Sequence, residues 1–256
     1  TGVQTCALPI STLDELARLG ETPTREVVVA VPSEGLVPYL KDWLESAGLP
    51  THYAGGTPIV ASGPFRLLEA VAEYLDRGEW GEFSALMRHP DLENWLERRR
   101  RGDYYRNASP DQLDRAFEIH LPARLRTSAI PGLFRTRIEE VRDVVEGAEL
   151  LGRFREPEIR PLNEWAERIV GFLAEVYGAK DYAQSLRDRR ELRVLEEIRN
   201  GALYLHRLPP DLSPHCRAAD AIRILLDEIR STAVPEDPEG APIELLGWLE
   251  LPADDA

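Results

Sequence analysis

The segment from Glu97 to Arg106, ERRRRGDYYR, carries the side chains of this chain that are best suited to bind phosphate groups. Guanidinium groups neutralise the phosphates of a nucleic acid, and tyrosine rings stack on unpaired bases. The alternative is a solvated helix end, where cations interact favourably with the helix dipole. The functional interpretation predicts a DNA-binding surface made of Arg98, Arg99, Arg100, Arg101, Tyr104, Tyr105 and Arg106.

Positive charge is concentrated around this segment. Ten arginines face four acidic residues between Arg98 and Arg137, whereas the whole chain has a net charge of −14. That acidic balance argues against a generic nucleic-acid-binding surface, because phosphate contacts need clustered lysine and arginine. We therefore expect this basic region to be the part of the chain that contacts DNA.

The other reactive groups do not form a known catalytic or metal-binding pattern. The chain contains no GxxxxGK[ST] phosphate loop and no GxSxG motif, and AGGTP at residues 54–58 is predicted to be a turn. His206, His215 and Cys216 supply three zinc ligands at most, and a structural zinc site needs four. The Asp and Glu-x-Lys pattern of a magnesium-dependent nuclease is missing. We therefore predict no catalytic, cofactor-binding or metal-binding residue in this chain.

Two further groups of polar residues have simple structural interpretations. His52, His89 and His120 are isolated and are expected to be surface or capping residues. The stretch RDRRELRVLEEIR at residues 187–199 is interpreted as a solvated helix face with ion pairs at i, i+4 spacing.

The secondary structure that would position these groups changes along the chain. The β-branched run Val27 to Val31 is typical of a strand buried on both faces of a parallel sheet. A helix from Ser33 to Gly48 follows this strand, and the two together form half of a βαβ unit. THYAGG is predicted to supply a second short strand. GPFRLLEAVAEYLDRG is predicted to be an amphipathic helix that stops at Gly78.

From about Glu79 to Arg230 the pattern is helical. PLNEWAERIVGFLAEVYG and AADAIRILLDEIR each place their apolar residues on one face, and Ser109 followed by Pro110 is a typical helix start. IELLGWLEL at residues 243–251 is then predicted to be a strand. The fold class is therefore predicted to be α/β and predominantly helical, with a short parallel sheet and flanking helices interrupted by a helical insertion.

The two ends of the chain suggest a fragment. TGVQTCALPI at residues 1–10 resembles a translated sequencing-library adapter, and residues 11–23 are expected to be a truncated lead-in. Cys216 is the single cysteine outside the first ten residues, so a reducing, cytoplasmic location is the simpler expectation. Because no run approaches about eighteen consecutive apolar residues, we expect no membrane partner.

The stretch VVVAVPSEGLVPYLKDWLESAGLPTHYAGGTPIVASGPFRLLEAVAEYL at residues 27–75 resembles the start of the second RecA-like lobe of UvrD/Rep-type superfamily 1 helicases. The likeness is closer to AddB-type subunits, which pair a degenerate helicase region with a PD-(D/E)xK nuclease. MRHPDLENWL at residues 87–96 is similar to an RHPD segment of those proteins. PIELLGWLELPADDA at residues 242–256 resembles their strand leading toward helicase motifs V and VI.

This resemblance implies a partial RecA-like lobe formed by residues 24–90 and 215–256, with a helical insertion subdomain at 91–214. Pro32 stands where active helicases carry an arginine for the γ-phosphate, which implies that the lobe is not an ATPase in its own right. The implied function is a non-catalytic, DNA-tracking scaffold in the repair of double-strand breaks. ATP and Mg²⁺ are expected for the parent helicase and nuclease only, and DNA and an AddA-type subunit are the expected partners.

Two alternatives remain open at this point. The chain could be an acidic helical scaffold that binds a protein and never touches DNA, or a complete small α/β enzyme with an unrecognised site. The helicase-lobe hypothesis makes a strict demand, because it requires residues 27–31 and 243–249 to lie in one sheet despite the long stretch of chain between them.

Overall fold

The structure is a computed structural model that describes residues 27–46, 49, 51–100, 133–155, 159–180, 182, 186–235 and 243–247. The strands are β1 (Val28–Val31), β2 (Thr51–Tyr53), β3 (Thr57–Pro58), β4 (Arg160–Pro161), β5 (His215–Cys216), β6 (Ala233–Val234) and β7 (Ile243–Gly247). The α-helices are α1 (Val37–Ser46), α2 (Gly63–Arg77), α3 (Trp80–Met87), α4 (Pro90–Arg100), α5 (Leu133–Val145), α6 (Leu162–Tyr177), α7 (Leu186–His206) and α8 (Ala218–Ile229).

The chain forms two compact units. The first unit combines the residues up to Thr57 with those from Ala233 onward, and the second unit runs from Pro58 to Thr232. The chain therefore leaves the first unit once, builds the whole second unit, and then returns to complete the first.

A parallel sheet in the first unit has its last strand in the middle. β7 pairs with β1 on one side and with β2 on the other, so that Leu245 lies opposite both Val29 and Tyr53. The requirement that residues 27–31 and 243–249 share one sheet is thus confirmed over the described residues. The protein is mainly helical, with a small three-stranded parallel sheet.

Helix α1 connects β1 to β2 and packs on this sheet. Val37 and Leu44 of α1 form one apolar cluster with buried side chains of the three strands, namely Val31, Tyr53, Ile243 and Leu245. The predicted helix begins later than Ser33, because a 3-10 turn from Glu34 to Leu36 precedes α1. Leu36, the last residue of this turn, is 48% exposed.

Burial in the sheet is concentrated on β7. Ile243 and Leu245 are fully buried, and the neighbouring Leu246, on the opposite face of the strand, is 7% exposed. On β1, in contrast, Val28 and Ala30 are exposed. The prediction that Val27 to Val31 is buried on both faces is therefore wrong, because β1 lies at the edge of the described sheet and β7 takes its centre.

The predicted turn at AGGTP follows β2 directly. The Gly56 N–H donates to the Tyr53 carbonyl at 3.0 Å, and Gly56 has a φ of 71°. A Cβ at this position would also lie 2.5 Å from the Val234 carbonyl oxygen. Glycine is required here both by the left-handed backbone and by the close approach of the returning chain.

The second unit is a helical assembly within its described residues. Helix α2 packs against α3, α4, α7 and α8, and α6 packs against α4, α7 and α8. Its largest fully buried side chains include those of Trp80, Trp165, Phe65, Phe83 and Phe172. Helices α6 and α8 occupy the sequences predicted for them, whereas Ser109 and Pro110 lie outside the described residues.

The predicted stop of α2 at Gly78 is confirmed, and the structure adds a cap at the start of this helix. The Ser62 hydroxyl accepts a hydrogen bond from the Phe65 N–H at 3.4 Å, and Pro64 stands in the first turn. Gly78 ends the helix with a φ of 62°, and its N–H donates to the Tyr74 carbonyl. None of the helices in the described part of the chain combines the length and apolar composition that a membrane crossing requires.

The boundaries between the units differ from the predicted ones. The structure divides the chain after Thr57 and after Thr232, whereas the sequence placed the divisions after residues 90 and 214. Helices α2 and α8, which were assigned to the RecA-like segments, pack on each other and belong to the second unit. An amphipathic stripe specifies burial but not the partner, so the sequence did not reveal that these helices pack on helices instead of the sheet.

The central position of β7 leads to a direct test. Leu245→Ala should destabilise the first unit by about 2–5 kcal/mol, because it opens a cavity at a fully buried position. Hydrogen exchange of the amides in β1 and β2 should accelerate together in this variant. Leu36→Ala, the same change at a half-exposed site, should alter stability by less than about 0.5 kcal/mol. Unchanged exchange in both strands of Leu245→Ala would contradict the central placement of β7.

Candidate nucleic-acid interface

The predicted DNA-binding surface begins at the end of α4. Within it, the structure describes the side chains of Arg98 and Arg99 and only the backbone of Arg100. The remaining members lie outside the described residues and keep their role as a prediction, namely Arg101, Tyr104, Tyr105 and Arg106.

Arg99 makes a dense set of contacts with its own unit. Its guanidinium binds Glu149 and lies 2.7 Å from the Glu175 carboxylate on α6. The same guanidinium stacks over the Trp95 ring, 4.8 Å from its centroid, and the Trp95 indole N–H donates to Glu175 at 3.0 Å. The hydrogen bond between Arg99 and Glu175 raises the pKa of Arg99 and lowers the pKa of Glu175.

Arg98 contributes a second link between α4 and α6. Its guanidinium donates to the Val176 carbonyl, one of the carbonyls in the last turn of α6 that lack a partner within the helix. The cation also complements the negative end of that helix dipole. Two arginines of the predicted surface are thus engaged within the second unit, and these contacts compete with the phosphate contacts predicted for them.

The described histidines His89 and His52 lie next to acidic residues. The His89 ring accepts a hydrogen bond from the Asp91 N–H at 3.3 Å at the start of α4, which confirms a capping role. Burial lowers the pKa of His89, against the opposing effect of Asp91. His52 lies 4.0 Å from Glu244 across the β2 and β7 ladder, and His120 lies outside the described residues.

Two of the three possible zinc ligands belong to residues with hydrogen-bonding neighbours in the second unit, Cys216 through its backbone and His206 through its ring. The Cys216 carbonyl in β5 accepts from the Trp165 indole N–H at 2.9 Å, and the His206 ring lies 3.2 Å from the Asn163 carbonyl. Burial raises the pKa of the Cys216 thiol. Among the described residues, no three His, Cys, Asp or Glu side chains are placed to hold a metal ion.

A cavity of about 540 Å³ lies in the second unit beside α2, α5 and the start of α8. Glu146 stands in its wall, where it accepts a hydrogen bond from the Tyr74 hydroxyl and forms ion pairs with Arg142 and Arg155. Burial and the neighbouring carboxylate raise the pKa of Tyr74, so this hydroxyl remains a proton donor. Because the carboxylate and both guanidinium groups are paired with each other, the cavity shows no activated nucleophile or base.

The edge where open parallel sheets bind ligands carries little chemistry in this protein. Pro32 and Ser33 follow β1, and Ala54, Gly55 and Gly56 follow β2. No charged side chain occurs at these five described positions. These five positions offer no cation to a nucleotide phosphate, and the residues that follow β7 lie outside the described part of the chain.

Three exposed arginines were not predicted as a group from the sequence, two on α7 and one directly after its end. Arg189, Arg199 and Arg207 are exposed, and none of them forms an ion pair or a hydrogen bond through its side chain with a described residue. Two acids of this helix, Asp188 and Glu191, both bind Lys180 instead of these arginines. A helical wheel would have grouped these three arginines, because they fall within an arc of about 80° at 100° per residue.

Comparison with known proteins adds no relative. No protein-family model matches the chain, and no curated protein matches it.

The Arg99 cluster predicts a pH-dependent loss of stability. Glu175→Gln should lower the free energy of unfolding by about 1 kcal/mol near neutral pH, after allowance for solvent screening of this partly exposed pair. The folded-state pKa of Glu175 is lowered, so its stabilisation is present above the ordinary carboxyl pKa and is lost as the pH falls through the lowered value. The difference between the two proteins should therefore shrink below about pH 4.

Urea titrations at several pH values would measure this difference. Glu69→Gln, an exposed change on α2 with no described partner, is the matched control and should have no effect at any pH. A constant difference between Glu175→Gln and the wild type from neutral to acid pH would contradict the ion pair.

Proposed function

We propose that this chain is a segment of an AddB-like helicase–nuclease protein that processes DNA double-strand breaks. In this proposal the segment is a non-catalytic scaffold that tracks DNA, and an AddA-type subunit is its protein partner. ATP and Mg²⁺ serve the parent protein and not the residues of this segment.

One observation carries the proposal. A parallel sheet is begun by β1 and β2 and completed by β7, after a helical unit that runs from Pro58 to Thr232. A helicase lobe interrupted by a helical subdomain has this order of elements, and the sequence resemblance at residues 27–75 and 242–256 points to the same family. Topology alone does not define function, so the resemblance supplies the specific part of the proposal.

The scaffold role rests on the chemistry at the carboxyl edge of the sheet. Pro32 offers no donor and no charge where the resemblance places a phosphate-binding arginine. The neighbouring positions after β2 are small and uncharged. This supports a structural contribution of the lobe and gives no support to ATP hydrolysis by the segment itself.

A specific observation favours a second candidate, the acidic scaffold that binds a protein and not DNA. Arg98 and Arg99 are engaged with Val176, Glu149 and Glu175, so part of the predicted DNA surface is already used within the second unit. Under this alternative the basic region stabilises the helical unit. Its remaining charge would then have no role in binding nucleic acid.

DNA binding separates the two candidates. The proposal predicts that the full chain binds labelled DNA with an affinity that falls steeply as salt rises, because phosphate contacts release counterions. Fluorescence anisotropy over a salt series measures both the affinity and the slope. A chain that shows no binding even at low salt would contradict the DNA scaffold and support the protein-binding alternative.

The predicted basic region needs variants that leave the fold intact. Replacement of Arg100, Arg101 and Arg106 by glutamine should reduce the salt slope, while Arg98 and Arg99 stay in place to join α4 and α6. An unchanged affinity and slope in this triple variant would show that the segment is not the DNA surface. Reading the source DNA beyond both ends of the chain tests the parent separately, because the proposal predicts an Asp and Glu-x-Lys nuclease domain downstream.

A further inference from the structure

The outer face of α7 combines positive charge with exposed apolar and aromatic side chains. Leu192 and Leu203 are 39% and 41% exposed, and Tyr204 is 59% exposed. Arg189, Arg199 and Arg207 lie on the same side of the helix and are exposed as well. Helix α7 packs on α6 and α8 through its other face, where Val194, Ile198, Ala202 and Leu205 are buried.

These three arginines differ from most others of the described chain. In an acidic protein, an exposed arginine readily finds a carboxylate. Eight described arginines of the second unit are ion-paired, namely Arg77, Arg99, Arg142, Arg155, Arg160, Arg217, Arg223 and Arg230. Arg189, Arg199 and Arg207 have no acid partner among the described residues. Glu196 lies on the same face and leaves an excess of two positive charges there.

The spacing of the cations fits a phosphate chain. At 1.5 Å per residue, Arg189 and Arg199 are separated by about 15 Å along the helix, and Arg207 is the first residue after the helix ends. Arginines spaced along one side in this way can contact separate phosphates of an extended single strand, whereas a protein helix would need a continuous apolar seam. Leu192 and Leu203 are about 16 Å apart with Glu196 and Arg199 between them, so they do not form such a seam.

Tyr204 favours a single strand over a duplex. Its ring is exposed between Arg199 and Arg207, and an exposed aromatic ring beside cations is the arrangement on which unpaired bases stack. Paired bases inside a duplex do not offer their faces to a side chain in this way.

We propose that the outer face of α7, formed by Arg189, Arg199, Tyr204 and Arg207, binds single-stranded DNA. This inference rests on the proposed function for the choice of DNA, and it names a different surface from the basic region at residues 98–106. The arginines hold the phosphates, and Tyr204 stacks on a base between them.

The test is a salt series with the full chain and a fluorescein-labelled oligothymidine strand. Arg189→Gln, Arg199→Gln and Arg207→Gln, combined in one variant, should lower the slope of log K against log salt by about 2, since each phosphate contact to a single strand contributes about 0.7. The control variant combines Arg77→Gln, Arg217→Gln and Arg230→Gln, which removes the same charge from arginines that are already paired. Its slope should stay close to that of the wild type.

Tyr204→Leu provides an independent reading. It should weaken binding to the single strand about tenfold without changing the salt slope, because stacking involves no counterion release. Binding to a blunt duplex should not respond to this substitution. Circular dichroism should show unchanged helix content in every variant, and each arginine can be replaced singly if the triple variant unfolds.

The possible outcomes separate this inference from the proposed function. Equal slopes for the two triple variants would overturn the α7 surface while DNA binding by the chain still stands. A triple variant that keeps its DNA affinity but loses binding to a partner subunit would assign the face to protein docking and also overturn the inference. Absence of DNA binding by the wild-type chain would overturn both.

Discussion

Strand β7 is the element on which the first unit depends, because it is the only described strand that pairs with both β1 and β2. Neither of those short strands pairs with the other among the described residues, and their ladders both run through Ile243–Gly247. Ile243 and Leu245 also complete the apolar cluster under α1. The sheet therefore cannot form until the chain has returned from the second unit, and its long-range pairing carries a corresponding entropic cost.

The two ends of the second unit lie next to each other. The Ile59 N–H donates to the Thr232 carbonyl at 3.0 Å, so the first and last residues of the helical assembly lie side by side. An inserted unit whose ends are adjacent can be accommodated with little disturbance of its host. Within the unit, ion pairs between helices, such as Arg99 with Glu175 and Arg223 with Glu73, use much of the positive charge of an acidic chain. Arg189, Arg199 and Arg207, which have no acid partner among the described residues, are therefore the better candidates for contacts with a bound phosphate.

The sequence was sufficient for the elements but not for their partners. Apolar periodicity located α2, α6 and α8, and Gly78 marked the end of α2 because a glycine stop acts locally. The membership of α2 and α8 in the second unit was missed, since an apolar stripe does not encode what covers it. Arg98 and Arg99 were predicted to bind phosphates because their partners are distant in sequence, namely the Val176 carbonyl for Arg98 and the Glu149 and Glu175 carboxylates for Arg99. The family resemblance and its function stay predictions.

The adjacency of β1 and β7 is the central claim, and nuclear Overhauser contacts between backbone protons measure it most directly. In an isotope-labelled sample of the full chain, the account predicts contacts from residues 28–31 to 244–247 and from 51–53 to 243–245. Parallel strands at a separation of about 4.8 Å bring such protons within range. Direct contacts between residues 28–31 and 51–53, with none to 243–247, would contradict the account.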